Sequence, residues 1–124
     1  MLYVELADTP DLWRQGLMFR KHLPENSGML FKFENSQVLK FWGMNTYIPL
    51  DIAFVDADKK IIKIGRIKKM SMDGVSSEDK SIIAIEANDG FFANNQIKVG
   101  DKIDLTEDDG QFIVKFVKNE TNNN

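Results

Sequence analysis

Apolar and polar residues alternate along most of this chain, with the period of two that is typical of β-strands. The first such run is LYVELA at Leu2–Ala7. Runs of this kind recur at short intervals, separated by segments rich in Gly, Asn, Asp and Ser. The pattern predicts seven or eight short strands, including segments 2–7, 28–34, 38–42, 49–56, 60–69, 81–87 and 110–117.

The period changes to a helical one in a single longer segment, Pro10–Arg20. Asp8 or Thr9 can accept hydrogen bonds from the free amides at the helix start, and proline suits the first helical turn. Gly16 weakens the helix without removing the apolar spacing. We therefore expect the longest helix of the protein here.

Strands that follow one another without long helices between them predict a mainly-β fold. We expect a single-domain antiparallel sandwich or partly closed barrel, with one short helix packed on it. A further helical turn is expected in NDGFFANNQ, capped by Asn88. Residues 1–118 are predicted to form the domain, and residues 119–124 a disordered polar tail.

Length and composition agree with one globular domain. The chain has 124 residues, 43% of them hydrophobic and 28% charged, which supplies both a core and a solvated surface. The net charge of −3 and the single basic cluster argue against a nucleic-acid partner. No apolar run is long enough for a membrane span, and no secretory leader is evident. The sequence does not indicate an oligomeric state.

The residues do not suggest a cofactor or a metal site. The chain contains no cysteine and one histidine, so neither a thiol nucleophile nor a zinc–thiolate site is available. His22 lies in a polar loop beside Lys21, and no nucleophile-elbow motif accompanies it. We expect no metal and no cofactor.

The densest cluster of candidate chemistry is FWGMNTYIPLD, Phe41–Asp51. Phe41 and Trp42 are adjacent on a strand, so one should enter the core while the other lines a groove or lies under a loop. Asn45 and Thr46 can fix a turn through bonds to nearby backbone groups, or they can hold a ligand. The sequence leaves both roles open.

Two acids and one arginine complete the candidate set. Asp51 lies in an apolar strand, on the face opposite Leu50 and Ile52, where an unpaired carboxylate would be costly to bury. Arg20 closes the helical motif and has the forked geometry that binds a carboxylate. We expect an Arg20–Asp51 pair, which either stabilises the fold or orients a substrate. Glu86 lies in another apolar strand nearby.

The motifs RQGLMFR, GMLFKFE, FWGMNTYIPLDIAFVD and IKVGD occur in this order along the chain. Together they resemble the domain-of-unknown-function family 192, over about residues 3–105. The resemblance implies a compact, mainly-β domain, often exported among relatives, with no established activity. Gly43 and Met44 depart from the family pattern, which usually has methionine and a basic residue there.

We interpret the chain as a small non-enzymatic binding or accessory domain with a pocket for a small polar ligand or a peptide end. The pocket is expected to form from the helix end, the Phe41–Asp51 corner and the EANDGFF segment. One alternative is a hydrolase that uses Asp51 or Glu86 near Arg20, and another is a structural protein-interaction module. The candidate ligand-binding residues are Arg20, Trp42, Asn45, Thr46, Asp51 and Glu86.

Overall fold

A computed structural model describes residues 1–119, and strands dominate it. In chain order the elements are β1 Leu2–Ala7, α1 Pro10–Gln15, β2 Ser27–Gln37, β3 Lys40–Phe41, β4 Leu50–Val55, β5 Ile61–Ile67, β6 Val75–Ser76, β7 Ser81–Asn88, α2 Phe91–Asn94, β8 Lys102–Asp108 and β9 Gln111–Val117. The predicted mainly-β, single-domain fold is confirmed. No helix within residues 1–119 has the length and apolar character needed to cross a membrane.

Seven strands form one sheet in the order β5-β4-β7-β2-β1-β9-β8, while β3 and β6 form a separate two-stranded ribbon. All neighbours in the large sheet are antiparallel except β1 and β2. The two edge strands meet at one end, where the Ile61 N–H donates to the Asp101 carbonyl at 2.8 Å. The sheet is therefore rolled but is not a closed barrel.

Both faces of the sheet are buried, which is why all six residues of β4 are buried. We call them the α2 face and the α1 face, after the helix that packs on each. The buried side chains of the α2 face include Leu30, Ala53, Val55, Ile85, Phe91 and Phe92. Those of the α1 face include Leu17, Met29, Phe31, Ile52, Phe54 and Ala84.

The predicted helix is shorter than its sequence pattern suggested. It begins as expected, with the Thr9 hydroxyl accepting a hydrogen bond from the Leu12 N–H at 3.3 Å. It ends at Gln15 because Gly16 adopts a left-handed φ of 47°, which turns the chain out of the helix. Arg20 consequently lies beyond a turn and not at the helix end.

The predicted cap of α2 is wrong, and most of the predicted tail lies outside the described residues. α2 does not use Asn88 as its cap, because Gly90 occupies the cap position and the Asn88 amide donates to the Leu23 carbonyl at 2.8 Å. Of the predicted tail, residues 120–124 lie outside the described residues. The Asn119 N–H donates to Asp101 Oδ1 at 3.0 Å.

Candidate functional site

A cavity of about 660 Å³ opens on the α1 face. α1 and the turn after it form one wall, the segment from 37 to 46 forms another, and the sheet forms the floor. Five aromatic side chains line it: Trp13, Phe31, Phe33, Phe41 and Trp42. A concave, mainly apolar site of this volume is typical of pockets for small organic molecules.

Trp13 fixes α1 over the sheet and shapes one wall of the cavity. Its indole N–H donates to the carbonyls of Ala7 and Lys32, at 3.1 and 3.0 Å. Its ring packs on Phe33 with centroids 4.6 Å apart. The sequence predicts that Trp13 is helical but not what its indole binds, because the two acceptor carbonyls belong to strands β1 and β2. A tryptophan in a short amphipathic helix was the one available signal.

The paired aromatics at 41 and 42 take the two positions expected of them. Phe41 packs edge-on against Phe31, with centroids 5.0 Å apart, and joins the core of the α1 face. Trp42 remains 47% exposed. Both residues line the cavity, the partly buried Phe41 at the end of β3 and the exposed Trp42 just after it.

Asn45 and Thr46 form a backbone corner beside the rim of this cavity. Asn45 has a left-handed φ of 56°, and its carbonyl accepts from the Phe19 N–H at 2.8 Å. Thr46 is buried, and its carbonyl accepts from the Met70 N–H at 2.9 Å. Thr46 lines the cavity, whereas Asn45 does not. Asn45 thus stabilises the turn that positions Thr46 at the cavity.

Gly43 allows the loop after β5 to pack closely against this corner. A Cβ atom at position 43 would lie 2.0 Å from the Lys68 carbonyl oxygen. The Gly43 N–H also donates to the Ser71 carbonyl at 2.9 Å. The departure from the family pattern at this position therefore coincides with a tight backbone contact.

Glu86 lies at the floor of the cavity. Its strand, β7, is flanked by β2 and β4, and its register neighbours are the buried residues Met29 and Ile52. The side chain is only 5% exposed, and within residues 1–119 nothing donates a hydrogen bond to its carboxyl group. Burial raises the pKa of Glu86 to about 8, because desolvation disfavours the charged form.

The prediction of an Arg20–Asp51 ion pair is wrong. Arg20 forms a two-pronged ion pair with Glu5, in which Nη2 lies 2.8 Å from Oε1. Hydrogen bonding between the two groups lowers the pKa of Glu5 and raises that of Arg20. Asp51 lies on the α2 face, where its Oδ2 accepts from the Phe92 N–H at 3.2 Å. The two residues are separated by the sheet.

The structure thus divides the six candidates into three groups. Trp42, Thr46 and Glu86 line the cavity, and Asn45 supports its rim. Arg20 borders a smaller depression beside Glu5, and Asp51 lies beneath α2. Within residues 1–119, Arg20 forms no ion pair or hydrogen bond with Asp51 or Glu86, because it is paired with Glu5. Across residues 1–119, no three His, Asp or Glu side chains converge as metal ligands.

Comparison with known proteins identifies relatives but no activity. The pattern that defines the DUF192 family, described as an uncharacterised ACR, matches residues 1–105. A proposed transcription regulator from Sinorhizobium meliloti is 28% identical, with a TM-score of 0.79 over 93% of this chain and 81% of its own. A protein of unknown function from Novosphingobium aromaticivorans is 35% identical, with a TM-score of 0.77 over 80% of this chain and 71% of its own. No curated protein matches the chain.

Proposed function

This chain belongs to the DUF192 family, whose function is not established, and we propose from its geometry that it is a small-molecule-binding domain. The cavity on the α1 face holds the apolar body of the ligand, while Glu86 contacts a polar group at its inner end. The observation that carries the proposal is the position of Glu86, which is 5% exposed, has no hydrogen-bond donor to its carboxyl group within residues 1–119, and lies at the floor of an aromatic-lined cavity.

The loss of folding stability caused by burying the Glu86 carboxyl group supports a binding role. Burial raises the pKa of Glu86 to about 8, so keeping its carboxyl group in this position lowers the stability of the fold at neutral and higher pH. Groups of this kind concentrate where a protein gives up stability for a site. An apolar residue at position 86 would match its register neighbours Met29 and Ile52 better.

The two tryptophans provide a direct probe, because both line the cavity and the chain contains two. We would titrate the protein with 1-hexanol, hexylamine and hexanoate while recording tryptophan emission and melting temperature. Binding of at least one compound should change the emission and raise the melting temperature. The absence of both effects for all three compounds would refute the proposal.

Two variants test whether the compounds bind in this cavity. Trp42→Ala removes a partly exposed wall residue, so it should weaken binding with little loss of stability. Tyr47→Ala is the matched control, since Tyr47 is similarly exposed in the same segment but does not line the cavity. Equal loss of binding in both variants would show that the compounds bind elsewhere.

A further inference from the structure

The inner end of the cavity combines a carboxyl group with aromatic walls. Glu86 is the one acidic residue on the lining within residues 1–119, and no group in that part of the chain donates a hydrogen bond to its carboxyl. A carboxyl group so placed offers its oxygens to whatever enters the cavity. Its ionised form becomes favourable only when the entering group supplies positive charge or several donors.

The aromatic walls favour the same kind of ligand. Ring faces attract organic cations, and aromatic enclosures are the usual binding sites of ammonium groups. Five aromatic side chains surround this cavity, and two of them are tryptophans, whose rings bind cations best. A purely hydrocarbon ligand would use these rings equally well but would leave Glu86 without a partner.

The other charged groups near the cavity do not provide that partner. On α1, Arg14 is exposed and pairs with Asp11. On β3, Lys40 is exposed, and its chain lies over Gly74. On β1, Glu5 extends from the same face as Met29 and is bound by Arg20. The side chains beside Glu86 on β2 and β4 are apolar.

We propose that the ligand of this cavity is an organic cation, whose ammonium group binds the Glu86 carboxylate while the aromatic walls enclose its apolar body. This inference rests on the proposed function and specifies its ligand class. The shared chemistry is a protonated or quaternary nitrogen joined to an apolar group, from a free amine or from the amino end of a short peptide.

Binding of such a cation releases a proton from the protein. In the empty cavity the carboxyl group of Glu86 is mainly protonated at neutral pH, because burial raises its pKa to about 8. The proton passes to solvent as the cation binds, so affinity should rise up to about tenfold per pH unit between pH 6 and 8.

The test compares four compounds with one hydrocarbon chain: hexyltrimethylammonium, hexylamine, 1-hexanol and hexanoate. Isothermal titration at about pH 6, 7 and 8 would measure their affinities for the wild-type protein, Glu86→Gln and Glu107→Gln. Glu107→Gln makes the same change at an exposed position of β8, an edge strand that does not line the cavity. We expect both cations to bind wild type at least about tenfold more tightly than hexanol.

Glu86→Gln should lose this preference and its pH dependence while it still binds hexanol, and Glu107→Gln should behave as wild type. Equal affinity for hexanol and the cations, or an unchanged preference in Glu86→Gln, would overturn the inference and leave the proposed function intact. Binding of none of the compounds would overturn both.

A peptide arm distinguishes the two sources of the cation. The peptide Phe-Leu-Gly with a free amino end would be compared with its acetylated form. Tighter binding of the free form than of hexylamine would identify the peptide end as the better source. Equal binding of free and acetylated peptide would contradict recognition of the amino group.

Discussion

Two buried acids on adjacent strands have opposite surroundings. Asp51 on β4 faces α2 and accepts a hydrogen bond from the backbone of Phe92. Glu86 on β7 faces the cavity, and its carboxyl group has no hydrogen-bond donor among the described residues. Asp51 is in register with Ala87 and Glu86 with Ile52, so the two acids are only one position apart in the pairing. The two acids differ in their hydrogen bonding because different segments cover the two faces of the sheet.

The coverings differ in how completely they fill the space above the sheet. α2 places Phe91 and Phe92 directly into the core of its face, so Asp51 meets a backbone amide. α1 carries no buried residue of its own, and the segments beside it leave the cavity open. The filled face therefore supplies a hydrogen-bond donor to its buried acid, whereas the open cavity face does not.

The largest expected effect is that of Glu86→Gln on stability. Because the folded-state pKa is raised from 4.5 to about 8, the folded protein keeps a proton that the unfolded chain releases. The associated stability is complete below about pH 4.5 and is lost as the pH rises toward 8. Glu86→Gln removes this loss, so it should stabilise the protein by about 3 kcal/mol at pH 7 and little at pH 4.

Urea denaturation of wild type and Glu86→Gln at several pH values checks this, with Glu107→Gln as the control. The difference between wild type and Glu86→Gln should grow with pH up to about 8. A constant difference across that range would mean that the Glu86 carboxyl is not kept protonated by burial.

Gly43→Ala should disturb only the cavity face. The added methyl group would meet the Lys68 carbonyl oxygen at 2.0 Å, so the loop after β5 must move. We expect destabilisation of about 1–3 kcal/mol, as for other overpacked sites. Denaturation measures the loss, and amide exchange should show it near Thr46 and Met70, whose backbones are hydrogen-bonded. Unchanged stability would contradict the close approach.

Asp51→Ala tests the filled face and should have the opposite sign to Glu86→Gln. It leaves the Phe92 N–H without its acceptor, so stability should fall by about 0.5–2 kcal/mol, the range for a lost helix cap. Asp51→Asn retains an oxygen acceptor and should lose less. Equal losses for alanine and asparagine, measured by thermal denaturation, would argue against the hydrogen bond.

Asn45→Ala separates backbone support from ligand contact at the rim. Asparagine tolerates the left-handed conformation of this residue better than alanine does, so the substitution should cost about 1 kcal/mol. Asn45→Gly should cost less, since glycine adopts this conformation freely. Thermal denaturation ranks the three proteins. Loss of ligand affinity in Asn45→Gly with unchanged stability would instead place the side chain in the binding site.

The smallest effect concerns Arg20. A double-mutant cycle with Arg20→Gln and Glu5→Gln should give a coupling of about 0.2–1 kcal/mol, because both side chains are partly exposed to solvent. A second cycle, with Arg20→Gln and Asp51→Asn, should give a coupling near zero. A larger coupling in the second cycle would restore the pair that the sequence had suggested.

Much of the fold was predictable because it depends on local patterns. Alternation identified the main strands, and Thr9 before Pro10 marked the start of α1. The motifs between residues 3 and 105 identified the family. The same patterns placed Trp42, Thr46 and Glu86 among the site candidates, since aromatic and polar residues in apolar runs are unusual.

The pairing of charged groups was decided only by the tertiary structure. Alternation places Asp51 opposite Leu50, but it does not indicate which element covers that face. Arg20 follows the early helix end at Gly16 and pairs with Glu5 on β1, which is distant from it in the sequence. The sequence determined which residues would be buried in strands. Strand order and the covering helices decided which acid acquired a partner and which one faces the cavity, because these depend on contacts between segments far apart in the chain.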